Sequence, residues 1–471
     1  MTNVQEKGIP PAVHDRPVTV ASARRLARRS LFRAAAVQGV AVVAAAGPAR
    51  AVLAAGTQAR PAAGRTRTVI VFSPVPWGTP QERAALYGTI LRPFLDQNPG
   101  VDVKLSFQAR GDFGTTSANI LAGTSPDVFE DYQIGGQLME GGFLLDLTPY
   151  ITRSNSNLAV FPQAQIQYFN LAGHQYALPV SIESVVCAVN TGVLADLGLS
   201  MPPEDWNYLQ AEALFRKTAR LTGNPATQRY GGAFYFYYPY IPDEYYLNQF
   251  GGSYVDPANP ARCNLAAPGS IAAGEYLYPL LQDNVCTLNW ATGKLFNTGQ
   301  LVVCPAGTWM LPQFAETPGS VSWQFLPMPA GPTAAATFGS PAFYGIPRTS
   351  KVADAAWSLL EWMSFSSPLQ VANMKFGLLP PARIDLYADW ISVVMQAAPP
   401  LRHVNLAAFT YTENHDIDPY FKYNTLTAFS DMNTWGKQVM TNKMPVRQAF
   451  SQAAKQVDAY EAQGTTKGSA G

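Results

Sequence analysis

An open α/β sheet is predicted from residue 66 onward, on three observations. "TVIVF" from Thr68 to Phe72 is a short β-branched, apolar run of the kind that forms a buried strand. Val101, Val103, Leu105 and Phe107 alternate with Asp102, Lys104 and Ser106, the period of a half-buried strand. "GTSPDVFEDY" follows a helical run and puts Asp127, Val128 and Phe129 into a third strand too brief to be a helix.

The helices between these strands carry their own signals. Thr79-Pro80-Gln81-Glu82 is a capping box with proline at the first helical position, and Leu86, Ile90 and Phe94 follow at four-residue spacing. One helix from about Pro80 to Gln97 is predicted. Phe113, Ile120 and Leu121 mark the inner side of the next helix, which Gly123 stops. In open α/β sheets ligands bind beyond the carboxyl ends of strands. Ser73 to Trp77, Gln108 to Asp112 and Glu130 to Gln133 fall there, so Trp77, Asp131 and Tyr132 are candidate ligand residues.

Farther on, Tyr176–Val180 and Val185–Val189 read as strands and "EDWNYLQAEALFRKTARLTG" as an amphipathic helix whose first turn makes Trp206 a core anchor. "LFNTGQLVVCPAGTWMLPQF" reads as a helix end, a buried strand and a glycine turn into Trp309. Val352, Ala356, Leu359, Leu360 and Met363 form a helical stripe that Pro368 limits. Ten aromatic residues crowd between Tyr230 and Phe250, more than a core strand needs.

The chain has 471 residues, net charge +1 and 14% charged residues. That length suggests two or three domains, and the charge balance leaves no basic face for nucleic acid. Paired Arg28 and Arg29, a mild Ala/Val run from Ala34 to Ala49 and Ala49-Arg50-Ala51 resemble a twin-arginine export signal with a small-x-small cleavage site. The run is short of the ~20 apolar residues a span needs. No cysteine lies near the cleavage region, so a lipid anchor is not supported and the mature protein is expected to be soluble. Of the four cysteines, Cys263 and Cys286 are the preferred disulfide pair, while Cys187 and Cys304 lie in apolar strand-like runs as small core residues.

Enzyme motifs are absent: no Gly-x-Ser-x-Gly elbow, no phosphate-cradling glycine loop and no His-Glu-x-x-His. His415, Asp416 and Asp418 in "ENHDID" read as a solvated loop, since only four histidines exist and no partner spacing supports a metal. No cofactor is expected.

The ordered segments "GTSPDVF", "YALPVSIESVVCAVNTGVLADLGL" with "PPEDW", "FNTGQLVVCPAGTWM", "FLPMPAGP", "FGSPAFYGIPRTSKVADAAWSLLEWMSF" and "GLLPPARIDL" resemble the extracellular solute-binding proteins of family 1, the maltose-binding-protein-like carbohydrate receptors of ABC transporters. The resemblance covers nearly all of residues 66–460. It implies a two-lobed periplasmic-binding-protein-like α/β fold of the class II type, each lobe a mixed sheet flanked by helices, with the ligand cleft between them. Crossings are expected near Val180–Ser184, Met328–Thr337 and Ala382–Asp385. The implied division is 1–51 signal region, 52–65 linker, 66–182 plus 335–383 lobe 1, 183–334 plus 384–462 lobe 2 and 463–471 disordered tail.

The implied function is non-enzymatic capture of a mono- or oligosaccharide by an exported monomer and its delivery to ABC permease subunits. A sugar ring offers an apolar CH face to an aromatic side chain and hydroxyls to paired donors and acceptors. Trp309 stands where the family commonly has a stacking aromatic. Glu183, Phe343, Tyr344 and Arg383 lie near the crossings, and Tyr237 and Tyr238 are drawn from the aromatic cluster. With Trp77, Asp131 and Tyr132 they complete the expected ligand-binding set. The alternatives are a secreted glycoside hydrolase, or the same fold binding a polyamine or other cation.

Overall fold

The computed structural model describes residues 67–74, 80–107, 113–131, 134–234, 244–288, 292–316, 322–337, 339–414 and 434–468. Thirteen strands are defined among them: β1 Thr68–Ser73, β2 Val101–Leu105, β3 Val128–Asp131, β4 Asn170–Leu171, β5 His174–Gln175, β6 Ala177–Asn190, β7 Tyr230–Ala233, β8 Val255–Asp256, β9 Asn259–Cys263, β10 Cys286–Thr287, β11 Leu301–Gly307, β12 Trp323–Leu326 and β13 Gly339–Gly345. Two small hairpins, β4–β5 and β8–β9, stand apart. All the others share one sheet in the order β10-β7-β11-β6-β13-β3-β1-β2, with β12 also on β6.

β1 pairs in parallel with β2 and β3, as the three predicted strands require, and β13 closes that half antiparallel to β3. In the other half β10, β7 and β11 run parallel. β6 is the member common to both. Its residues from Ala177 to Ser184 pair with β13, and those from Val185 to Val189 pair with β11. Sequence reading divides this segment into two strands, whereas it is one. Between Ala342 and Phe343 the register shifts, a bulge that bends a long strand without breaking it.

Helices cover both halves, and local chemistry decides their limits. The predicted single helix from Pro80 to Gln97 is two, Pro80–Ile90 and Arg92–Gln97. Pro93 explains the break, because it lacks the N–H for an internal helical bond and its ring opposes the preceding turn. Phe113–Ala122 ends as expected: Gly123 adopts φ +68, its N–H reaches Ile120 O and the Thr124 N–H reaches Asn119 O. That is a Schellman stop. Its inner face is Ser117 and Ile120, while Leu121 is 62% exposed, since one residue past Ile120 is a 100° turn away from the core.

Asn207 and Gln210 form a capping box on Tyr208–Thr218, and the buried Trp206 donates its indole N–H to Pro327 O at 2.9 Å. That helix lies directly on β7. A Cβ on Gly231 would stand 2.1 Å from Phe215 O, so the glycine pair in "YGGA" permits the approach. Ala353–Phe365 buries Ala356, Leu359, Leu360 and Met363, the predicted stripe. The last helix runs Val446–Gly468, into the segment expected as a disordered tail, although Gly464, Thr465, Thr466 and Gly468 are weak helix formers.

None of the four cysteines, all among the described residues, is in a disulfide. The expected Cys263–Cys286 bridge does not form, because Cys263 ends β9 in a hairpin and Cys286 begins β10 in the main sheet. Among the described residues, no helix is long and apolar enough to cross a membrane and no group of His, Cys, Asp or Glu could hold a metal ion.

Candidate functional site

The site is built from the point where β6 passes between its two sets of partners. Ser184 faces Gly339, the first residue of β13, and the next residue, Val185, faces Gly307, the last of β11. Both neighbouring strands therefore leave the sheet here, and their ends frame the same position. Two hydroxyls that sequence reasoning did not select pin it. Thr337 Oγ1 donates to Val185 O at 2.5 Å, and Ser184 Oγ donates to Phe409 O at 3.3 Å. Both contacts span more than a hundred residues, so no local signal announces them.

β11 is buried along its whole length, and the chain turns from it at Gly307-Thr308-Trp309. Trp309 is half-buried and packs against two apolar clusters, one containing Trp206 and Phe343 and the other Phe325 and Trp390. It is thus the one predicted ligand residue whose described side chain occupies a seam between packed units. Its ring covers Gly307: a Cβ there would meet Trp309 Cζ2 at 2.3 Å. Thr308 is fully buried beside it, with no hydrogen-bond partner for Oγ1 among the described residues.

The other predicted residues distribute as follows. Asp131 is the last residue of β3, not a loop residue beyond it. It is 8% exposed, its backbone pairs with Phe343, and its Oδ1 accepts the Ile134 N–H at 3.2 Å. Glu183 lies in β6 opposite Ser340, and its side chain is outside the described residues. Phe343 and Tyr344 face the core, not a cleft. They are 1% and 0% exposed; Phe343 packs on Phe169 with centroids 4.8 Å apart, and Tyr344 stands edge-on to Phe72 at 6.0 Å. Burial pushes the Tyr344 phenol well above its ordinary pKa. Alternation in β13 sends one ring to each face of a sheet that is covered on both, which is why neither reaches solvent.

Arg383 is committed within the protein. It donates Nε and Nη2 to Asp385 at 3.0 and 2.5 Å, and Nη1 to Phe365 O at 2.7 Å and Ser367 Oγ at 3.0 Å. The hydrogen bonds from Arg383, ahead of its charge, hold the Asp385 carboxyl below the usual value. This arginine clamps the chain where it leaves one helix for the next. Trp77, Tyr132, Tyr237 and Tyr238 lie outside the described residues, as do His415, Asp416 and Asp418.

The model of the bacterial extracellular solute-binding protein family matches residues 78–366. Among solved structures, the cyclic α-maltosyl-1,6-maltose binding protein of Arthrobacter globiformis superposes with TM-score 0.68 at 18% identity, over 84% of this chain and 99% of that one. The ABC substrate-binding protein of Listeria monocytogenes in complex with cycloalternan gives 0.67 at 20% identity, over 84% and 99%. A maltose-bound Thermotoga maritima protein gives 0.63 at 18% identity, over 83% and 100%. These likenesses establish the two-lobed α/β fold. A Brucella abortus protein described only as a binding protein is 23% identical over 258 residues, 51% of this chain; the match spans 56% of that relative's length, little more than half.

Proposed function

The chain belongs to the bacterial extracellular solute-binding protein family, and we propose that it captures a mono- or oligosaccharide between two lobes and delivers it to the permease of an ABC importer. The observation that carries this reading is the position of Trp309. It sits at the carboxyl end of a fully buried strand, beside the residue at which β6 changes partners. Strand carboxyl ends at such a switch are where open α/β sheets hold ligands, and an indole there offers the flat apolar face that a sugar ring can cover. Solved relatives whose names include cycloalternan and maltose support the choice of a carbohydrate.

We place lobe 1 at 66–182 plus 335–383 and lobe 2 at 183–334 plus 384–462. Support comes from the sheet, where β6 exchanges β13 for β11 after Ser184 and the chain returns from β12 to β13 between 327 and 338. Between Leu369 and Leu386 the chain visits both the cluster around Phe72 and the cluster around Trp390, so the third crossing is a shared segment with Arg383 as its clamp. The protein acts as a binder and not as a hydrolase, exported through the arginine pair at its amino terminus and working as a monomer.

A calorimetric screen of mono- and oligosaccharides, with product analysis alongside, tests the reading. Saturable sugar binding without turnover is expected, and Trp309→Ala should weaken it by ~1 to 3 kcal/mol without unfolding the protein. Were Trp309 only a core residue, the same change would cost ~3 to 5 kcal/mol of stability and leave affinity unchanged.

A further inference from the structure

A cavity of about 450 Å³ is lined by no strand residue. Its walls come from three places: Phe94 and Asn98 of the Arg92–Gln97 helix and its cap, Ser156 of a turn, and a ridge of the Ala353–Phe365 helix carrying Glu361 and Trp362. Spacings of three and four residues put Ser358, Glu361, Trp362 and Phe365 on one side of that helix. The volume lies in the range of small-ligand sites, and the lining meets the site described above only at Phe365, whose carbonyl accepts from Arg383.

The chemistry of the walls is selective. Glu361 is half-buried and accepts a short hydrogen bond from Ser156 Oγ. No described lysine, arginine or histidine pairs with it: the ion pairs on the wall helices bind Arg92 to Asp96 and Arg153 to Asp354. Beside it the Trp362 indole is half-buried, tilted at 52° to Phe94 with centroids 5.7 Å apart. Phe365 is held edge-on by Phe161 at 5.0 Å. The cavity thus offers a partly desolvated carboxylate with no cationic partner among the described residues, beside fixed aromatic rings.

We propose that this cavity binds an organic cation, an ammonium or guanidinium group, with Glu361 as counter-ion and the Trp362 ring as its cation-attracting wall. A carboxylate removed in part from water gains most from an opposite charge brought into hydrogen-bond range, and an indole face adds attraction for the same charge. A neutral sugar would gain from the ring but would leave the carboxylate's charge unmatched. The cation can belong to a free amine or to a basic side chain of another protein.

The test uses the whole mature protein and titration calorimetry with cadaverine, with N-acetyl-lysine amide as a stand-in for a protein side chain, and with 1-pentanol as the uncharged control. Saturable binding of a charged probe at millimolar or lower concentration is expected, with none for 1-pentanol. Glu361→Gln, which keeps the size of the side chain, should weaken it at least about tenfold, and Trp362→Phe should weaken it less. Cadaverine alone binding identifies a free solute; equal binding of the blocked lysine identifies a protein partner. No saturable binding of either cation up to ~10 mM, weaker than any useful affinity, overturns the proposal. So does binding that Glu361→Gln leaves unchanged in a variant whose melting point matches the parent, or equal binding of 1-pentanol.

Discussion

Asp127 shows how a residue visible in the sequence can have a role that is not. "SPDVF" marks it at the foot of a strand, and the structure shows its carboxylate accepting the Val71 N–H at 2.9 Å and the Ser350 hydroxyl at 2.8 Å. It ties β3 to β1 and to the turn before the Ala353–Phe365 helix. Asp127→Ala should therefore lower stability by about 1 kcal/mol, the cost of losing hydrogen bonds to half-buried partners, with no change in sugar affinity. Chemical denaturation and calorimetry on the same variant check both halves of that expectation. That Trp309 follows a buried strand and a glycine turn could be read from the sequence; its contact with a sugar is our proposal. The burial of Phe343 and Tyr344 was not, because the strand that carries them is covered on both faces only after distant segments fold over it.

At the scale of elements, the first three strands, the glycine stop at Gly123 and the stripe from Ala356 to Met363 could all be read from local periodicity. The failures have local causes too. Pro93 divides a helix that its hydrophobic spacing would continue, and β6 keeps one continuous ladder past a bulge because successive partners, β13 then β11, take up its backbone groups. The β11 turn supplies a direct test of site geometry. Gly307 has φ −83, which any residue adopts, so only space excludes a side chain. Gly307→Ala must displace the Trp309 ring, and we expect sugar affinity to fall about tenfold while stability drops by the ~1 to 3 kcal/mol typical of overpacking. A crystal structure or calorimetry showing an unmoved ring and unchanged affinity would remove Trp309 from the binding surface.

At the scale of the whole molecule, export and closure are the properties to test. Arg28 and Arg29 precede the Ala/Val run that the twin-arginine reading uses. Replacing both with lysine is expected to retain the precursor in the cytoplasm, and fractionation with an antibody to the mature chain reads the outcome; undiminished export of the double variant would reject that route. The lobe boundaries we propose rest, in the sequence, only on the order of motifs along the chain. The shared strand, the side-chain pins of Ser184 and Thr337 and the Arg383 clamp depend on contacts between residues far apart in sequence. We propose that those same contacts act as a hinge, because a ligand touching both halves of the sheet would hold them together. Small-angle X-ray scattering of the mature protein, with and without a sugar at a concentration that calorimetry shows to be saturating, tests the central claim most directly. Capture between lobes predicts a smaller radius of gyration in the bound state; an unchanged profile with the site fully occupied would contradict it.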